Sequence, residues 1–418
     1  MNVELVSIGN ELLLGYTIDT NSAFFAREAA ALGVRVVRRI TVGDSPEEIA
    51  AAVKECLERT GAVITSGGLG PTADDLTKQS IAELFGRSMH LDESILYSLK
   101  ARWKARGWPG ELPMANHNQA MIPAGAQIIQ NEHGSAPGIW LTDDAGRWVA
   151  MLPGVPREFR GMAREQLLPR IVAHQGPERA GLVVRSRTLR TNGIAESALA
   201  DAMGELAKNP HGATLAYLPG WEGVDLRITV YDEPADVAQS ILDRAEAALR
   251  QKVGKWMYGT EDDDLATLVL MALRAKGMKI GVAESCTGGM LGMRLTAIPG
   301  SSDVVDGGVI AYANHVKIRQ LGVRQETLTT HGAVSEETAR EMATGLRAKF
   351  GVDVAVSITG IAGPGGGTPE KPVGTFCIAV DVRGNVRSLR TVAVGDRHEV
   401  RQRSAQNALN LVRRALTE

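Results

Sequence analysis

The sequence predicts an α/β protein: two three-layer α/β/α domains with mostly parallel sheets, joined by a small α+β domain. Three observations carry this reading. Strand and helix patterns alternate from Met1 to about Ile171, the texture changes from about Arg179 to Val253, and alternation returns from Asp264 onward. The expected boundaries are therefore residues 1–172, 173–255 and 256–418.

The elements follow in order. Val3–Ile8 is an apolar run of strand length, Asn21–Leu32 fits an Ala-rich helix, and Val34–Ile40 is a second strand. Ser45-Pro-Glu-Glu opens a helix to Arg59 with a capping signature, and Ala62–Thr65 is a third strand. This βαβ rhythm argues a parallel sheet covered on both faces. Trp148–Leu152 is a further strand, with a helix after Pro156. In the middle region Leu182–Leu189 alternates like a half-buried strand, Ala213–Leu218 and Val224–Tyr231 are strands, and Pro234–Val253 is a long amphipathic helix. Trp256 to Asp264 ends in the acidic run Glu261-Asp-Asp-Asp264 and reads as a linker plus the cap of the next helix.

Composition bounds the function classes. The chain has 418 residues, too many for one ordinary domain. Aromatics make up only 4%, so the cores must rest on Ala, Val, Leu and Ile. A net charge of −2 offers no general basic surface for nucleic acid. Cys56, Cys286 and Cys377 are odd in number and far apart, which fits a reducing cytoplasm better than a disulfide framework. No signal peptide or membrane span is expected, and the histidines show no metal-ligand spacing.

Three strings near the C-terminus carry chemistry. Gly281-Val-Ala-Glu-Ser285-Cys-Thr287-Gly288-Gly289 places Ser285 where a strand turns into a helix. Such a turn exposes a side chain at a sheet end and aims backbone N–H groups at a ligand, which suits acyl transfer or phosphate binding. Ser285 and Thr287 as simple helix caps is the bland alternative. Tyr312 ends another strand, and Lys317 lies in the first turns of the next helix, where a partly desolvated amine is a candidate base. The strand Val354–Thr359 runs into Gly360-Ile361-Ala362-Gly363-Pro364, whose glycines permit close backbone approach to a ligand.

Together with His331-Gly-Ala-Val-Ser335 and Glu370-Lys-Pro-Val-Gly-Thr375, these strings resemble the C-terminal domain of the CinA family, known in that family as a nicotinamide mononucleotide (NMN) deamidase. The resemblance implies that Ser285 is the nucleophile and that Tyr312 and Lys317 are its catalytic partners. Thr287, Gly288, Gly289, Gly360, Ile361, Ala362, Gly363 and Arg397 are the expected substrate contacts, and no metal is expected for this step.

A second site is expected at Ser66-Gly67-Gly68-Leu69-Gly70-Pro-Thr-Ala-Asp74-Asp75-Leu-Thr77. Glycines after a strand can cradle a phosphate, and two adjacent carboxylates can hold a hard divalent ion against a pyrophosphate. Helix capping is the alternative for the aspartates. With Gly9-Asn-Glu11, Asp19-Thr-Asn21, Val42-Gly-Asp44, Asn131 to Gly138 and Leu152-Pro-Gly-Val-Pro156, this string is similar to the N-terminal, molybdopterin-binding-like domain of the same family. Leu69 replaces the threonine usual in pterin-binding relatives. The family association is metal-dependent hydrolysis of ADP-ribose, with Gly67, Gly68, Gly70 and Thr77 as substrate contacts and Asp74 and Asp75 as ligands to Mg, Mn or Co. The middle region resembles the family's KH-like domain more weakly. It shows no evident Gly-x-x-Gly clamp, so no direct nucleic-acid binding is expected. The expectation is thus a cytoplasmic, bifunctional enzyme of pyridine-nucleotide recycling, homodimeric, acting on NMN and ADP-ribose without a membrane partner. The rival is a nucleotide- or pterin-binding adaptor linked to competence or DNA damage. A third reading keeps one active domain and a decayed scaffold.

Overall fold

Near-continuous apolar runs make strands buried on both faces, and such strands collect in sheets with helices above and below. The computed structural model describes residues 1–176, 179 and 181–417. It divides into two compact units, Met1–Arg185 with Val230–Ser240, and Ser186–Thr229 with Ile241–Glu418.

In the first unit, β1 (Asn2–Ile8), β2 (Arg35–Val42), β3 (Ala62–Ser66), β4 (Gln127–Ile129), β5 (Gly138–Thr142) and β6 (Trp148–Leu152) form one sheet in the order β2-β1-β3-β6-β5-β4. The pairs β1/β2, β1/β3 and β3/β6 are parallel; β5 and β4 close the edge antiparallel. Every residue of β3 and β6 is buried. Helix α1 (Thr20–Ala30) brings Phe24 and Phe25 to one face, and α2 (Pro46–Thr60) brings Ile49, Val53 and Leu57 to the other. Ser45 caps α2 by accepting from the Glu48 amide, as its sequence pattern requires. Helices α3 (Thr77–Leu84) and α4 (Pro156–Met162) begin just after the two glycine-bearing turns.

The second unit holds two sheets. Strands β7 (Leu182–Thr191), β8 (Thr214–Pro219), β9 (Val224–Pro234) and β10 (Met257–Thr260) make a four-stranded sheet, order β8-β9-β7-β10, with α5 (Glu196–Met203) and α6 (Ala235–Val253). The linker expected over Trp256–Asp264 is partly strand: β10 pairs antiparallel with Leu189–Thr191. A four-residue strand beside Gly259 is too short to show a period in sequence. One Gly-x-x-Gly string does occur, Gly220-Trp-Glu-Gly223, but it forms the β8–β9 hairpin, where Gly220 N–H donates to Gly223 O at 2.8 Å. It joins no pair of helices, and Glu222 gives it an acid where a clamp would meet phosphate.

The larger sheet comprises β11 (Ile280–Glu284), β12 (Val305–Ile310), β13 (Val354–Gly360), β14 (Thr375–Val382) and β15 (Asn385–Val392), in the order β12-β11-β13-β14-β15. Its first three strands are parallel; β14 and β15 run antiparallel as a hairpin. Helix α7 (Leu265–Lys276), capped by the Asp264 carboxylate, packs on one face with α8 (Met290–Thr296) and the long α11 (Arg397–Thr417). Helices α9 (Asn314–Leu321) and α10 (Glu336–Phe350) cover the other. Among the described residues, no helix is long and apolar enough to cross a membrane.

Candidate active site

The chain leaves β11 for β12 on one side and later returns to β13 on the other. The carboxyl end of β11 is therefore a topological switch point, where α/β sheets open a crevice. Ser285 is the first residue past that end. Its amide donates to Ile358 O at 2.9 Å, which locks the turn between β11 and β13, and its side chain is almost fully buried. Lys317, 1% exposed, reaches it from the first turns of α9: Nζ lies 2.9 Å from Ser285 Oγ, 2.8 Å from Ala311 O and 3.3 Å from Tyr312 O. The partners are a hydroxyl and two carbonyls, none of them charged. Burial accordingly holds the ammonium below its ordinary pKa. A neutral amine in this position donates two N–H groups to the carbonyls and keeps its lone pair for the Ser285 hydroxyl proton.

Tyr312, expected as a catalytic partner, turns its side chain away from the Ser285–Lys317 pair. Its phenol is 63% exposed and accepts from Arg397 Nη2 at 3.1 Å, while only its backbone carbonyl meets Lys317. Arg397 also donates to Gly363 O at 2.7 Å, so it ties the tyrosine to the glycine loop. Sequence spacing placed the residue at the strand end but not the direction of its ring.

The donors at the start of α8 are largely committed. Glu284, 1% exposed, accepts from the amides of Gly289 (3.0 Å), Leu291 (3.0 Å) and Gly292 (2.8 Å). Gly288 N–H donates to Ser285 O at 3.1 Å. Among the described residues, the Cys286 and Thr287 amides have no carbonyl or carboxylate acceptor, and they flank the nucleophile on its C-terminal side. The Gly288 and Gly289 amides, expected as substrate contacts, are therefore spent inside the fold, Gly289 on the buried carboxylate that caps the helix and Gly288 on the Ser285 carbonyl. The Thr287 side chain is fully buried and its hydroxyl has no partner among the described residues; its carbonyl accepts from Arg401 Nη2 at 2.7 Å. Burial pushes the Cys286 thiol up to about 12, which makes it an inert neighbour.

The Gly360 loop divides similarly. A Cβ at Gly360 would lie 2.8 Å from Phe376 Cβ and 3.0 Å from Cys286 Sγ, so only glycine fits there. Ile361 donates to Thr375 O and accepts from Gly374, which spends both its backbone groups inside the fold. Ala362, Gly363, Arg397, His398 and Arg401 instead line a hollow of about 550 Å³.

The first unit presents its own cleft, about 420 Å³, at the carboxyl ends of β1 and β3. Gly67 and Gly68 have positive φ, and a Cβ on Gly68 would fall 2.0 Å from Thr77 Oγ1. Gly67 N–H donates to Leu152 O and Gly70 N–H to Asp75 Oδ1. Among the described residues, the amides of Gly68 and Leu69 remain without an acceptor and form the available cradle. Thr77 is corrected from substrate contact to support: it is fully buried, and its hydroxyl donates to Gly67 O at 2.9 Å.

Asp74 and Asp75 part company. Asp75 accepts from the Gly70 amide (2.7 Å), the Thr72 amide (2.8 Å) and the Thr72 hydroxyl, so it clips the loop shut. Asp74 is exposed, and hydrogen bonding from Thr72 holds its carboxyl below the usual range. Among the described residues, no group of three or more His, Cys, Asp or Glu side chains is placed to hold a metal. The donor set fits a hard ion held by Asp74, water and substrate phosphate, not a protein-only cage. Glu11, Asp44 and Glu158 line the same cleft. Nothing in the sequence strings around Glu11 and Asp44 assigns either a role. Buried Lys78, which donates to Asn118 O and whose pKa burial pushes down to about 8, carried no recognisable spacing at all.

Residues 262–416 match the profile of the CinA C-terminal domain, 186–259 the damage-inducible protein CinA KH domain, and 4–173 the probable molybdopterin binding domain. A CinA-like protein of Gemmatimonas aurantiaca is 59% identical over 99% of this chain and 96% of its own. The chain belongs to the CinA family. Another CinA-like protein, from Chloroherpeton thalassium, is 41% identical over the whole chain and 99% of its own. Among solved structures, the competence/damage inducible protein CihA from Agrobacterium tumefaciens is 44% identical, covering 37% of this chain and 94% of that one, with a TM-score of 0.36. Membership of the CinA family fixes the domain types; the Ser285–Lys317 contact and the Asp75 clip are read from this chain's own geometry.

Proposed function

We propose that the second unit hydrolyses the carboxamide of NMN to nicotinic acid mononucleotide and ammonia. The observation that carries this reading is the 2.9 Å contact between a buried lysine without a charged partner and a serine at a switch point. Neutral Lys317 takes the Ser285 proton as Oγ attacks the amide carbon. The Cys286 and Thr287 amides receive the developing oxyanion. Lys317 then passes its proton to the departing nitrogen, and ammonia leaves. Water, deprotonated by the same amine, opens the acyl-enzyme and frees Ser285. Arg397 and Arg401 supply the cationic wall for the ribose phosphate, with His398 beside them. The deciding experiment incubates pure protein with NMN and follows ammonia and product by chromatography.

For the first unit the proposal is pyrophosphate cleavage of ADP-ribose. The Gly68 and Leu69 amides bind phosphate and Asp74 holds a divalent ion, which when bound supplies charge neutralisation at phosphorus. The two aspartates should separate by readout. Asp74→Asn is expected to lower turnover with little change in melting temperature. Asp75→Asn is expected to cost stability of about 1–3 kcal/mol, because a clip bonded to three donors is lost. Calorimetry beside product assays checks both, and the reading fails if Asp74→Asn keeps normal ADP-ribose kinetics or Asp75→Asn melts like the wild type.

Every residue assigned to deamidation lies after Thr260. A fragment starting at Glu261 is therefore expected to deamidate NMN, whereas a start at Gly259 would leave half of β10 without its partner strand. The fragment loses the bonds from Asn410 to Asn192 and from Gln406 to Glu222, so it should melt below the full chain. A folded fragment without activity would show that earlier residues complete the site.

A further inference from the structure

Glu158 lines the first unit's cleft and has no part in the chemistry given to Asp74 and the glycine amides. It lies in the first turn of α4, four residues after Gly154. A Cβ on Gly154 would lie 3.3 Å from Gly67 Cα, so the chain leading into α4 packs against the phosphate cradle. The carboxylate is fixed in place. Asn131, 6% exposed, donates from Nδ2 to Glu158 Oε2 at 2.6 Å and to Ala136 O at 2.7 Å. The His133 amide donates to Asn131 Oδ1 at 3.0 Å, which sets the orientation of that side chain. A Cβ at Gly134 would fall on the Glu158 carboxylate carbon, so backbone packs directly on the group. Among the described residues, no Lys, Arg or His pairs with this carboxylate, and Oε1 accepts no hydrogen bond although it stays open to the cleft.

A donor stands next to this acceptor. Gln119, 2% exposed, belongs to the 3₁₀ turn Met114–Ala120 and lines the cleft with Ser135, the residue after Gly134. Its Oε1 accepts from Asn116 Nδ2 at 3.1 Å, and its Nε2 donates to Ser135 Oγ at 3.4 Å. The Ser135 hydroxyl is thereby used as an acceptor, and its own proton is left for a ligand. Each hydroxyl of a vicinal diol both donates and accepts, so an open carboxylate oxygen beside a hydroxyl donor matches a sugar. A carboxylate that takes ribose hydroxyls next to a glycine-rich phosphate turn is the device of dinucleotide-binding folds. A bare carboxylate repels a second phosphate, which leaves the neutral sugar as the group that fits here.

We propose that Glu158 selects the ligand of this cleft by accepting the vicinal diol of a ribose 5′-phosphate, with Ser135 donating to the same diol. This assignment rests on the reading of the first unit as acting on ADP-ribose and names the part of that substrate it recognises. Titration calorimetry on the full-length protein in Mg²⁺, with AMP and with 2′,3′-dideoxy-AMP, isolates the diol, because the two share base and phosphate and neither has a pyrophosphate to cleave. The wild type is expected to bind AMP about tenfold more tightly, the range of a hydrogen bond to a charged group. Glu158→Ala should abolish that preference by weakening AMP alone, and Glu158→Gln and Ser135→Ala should each keep part of it. The Mg²⁺ concentration for half-maximal binding should stay the same in every variant. Equal affinity for the two ligands in the wild type, no binding of AMP, or a raised Mg²⁺ requirement in Glu158→Ala, which would make Glu158 a metal ligand, would overturn the assignment. So would a preference unaltered in Glu158→Ala or, should that variant not fold, in Ser135→Ala. A diol preference kept by a protein that does not cleave ADP-ribose would remove the pyrophosphatase reading and leave this one standing.

Discussion

Replacing Ser285 with Ala is expected to abolish ammonia release from NMN, a loss on the order of 10³-fold or more. Metal-dependent ADP-ribose cleavage should persist, since Ser285 has no assigned role in the first unit's cleft. The side chain is small, and Lys317 keeps its two carbonyl partners, so stability should change by less than about 1 kcal/mol. Ammonia assays paired with calorimetry make the check. Near-normal deamidation by the variant would falsify the nucleophile assignment, whatever the fate of the other activity.

Lys317→Met is expected to lower turnover by ~10²-fold or more, the range of a positioned acid–base group. Its effect on stability should run the other way at neutral pH. The folded protein holds the lysine pKa below the ordinary value of about 10.4, so between the two values the unfolded chain binds the extra proton. Wild-type stability from this site therefore rises with pH across that window. Below the window, burying the ammonium is a constant cost that methionine removes. Denaturant melts of both proteins from pH 6 to 10 should show the variant's advantage shrinking as pH rises. The acidic limb of the wild-type kcat/KM profile should report the same group, because only the neutral amine is a base. If only KM rises in the variant and the stability difference is flat with pH, Lys317 is a binding residue.

The strands and most helices were legible because their signals are local. Ser45 caps a helix, Asp264 caps another, and β3, β6 and β11 are buried end to end. Ser285 and Lys317 were legible because a strand end and a helix start fix them at one sheet edge. What stayed hidden depends on side-chain direction or on partners far along the chain. Tyr312 turns outward to an arginine 85 residues away. Glu284 lies inside a quoted motif, yet nothing in the spacing says that its carboxylate fills the helix start that the glycines seemed to offer. Asp75 looks identical to Asp74 in sequence, and only the fold of the loop separates a clip from an open ligand. The strand β10 escaped because four residues carry too little pattern.

Helix α11 spans 21 residues, a rod of about 30 Å at ordinary helical rise. Its first turns hold the Thr287 carbonyl and the phenol of Tyr312 through Arg401 and Arg397. Farther along, Gln406 and Asn410 grip the small sheet at Glu222 and Asn192. The rod therefore couples the small sheet to the catalytic end. Changes in the small sheet that tilt it by a degree or two would shift the arginines at the catalytic end by a fraction of an ångström. Substrate affinity should therefore respond to substitution of Asn192, whose side chain holds Asn410 and touches no substrate.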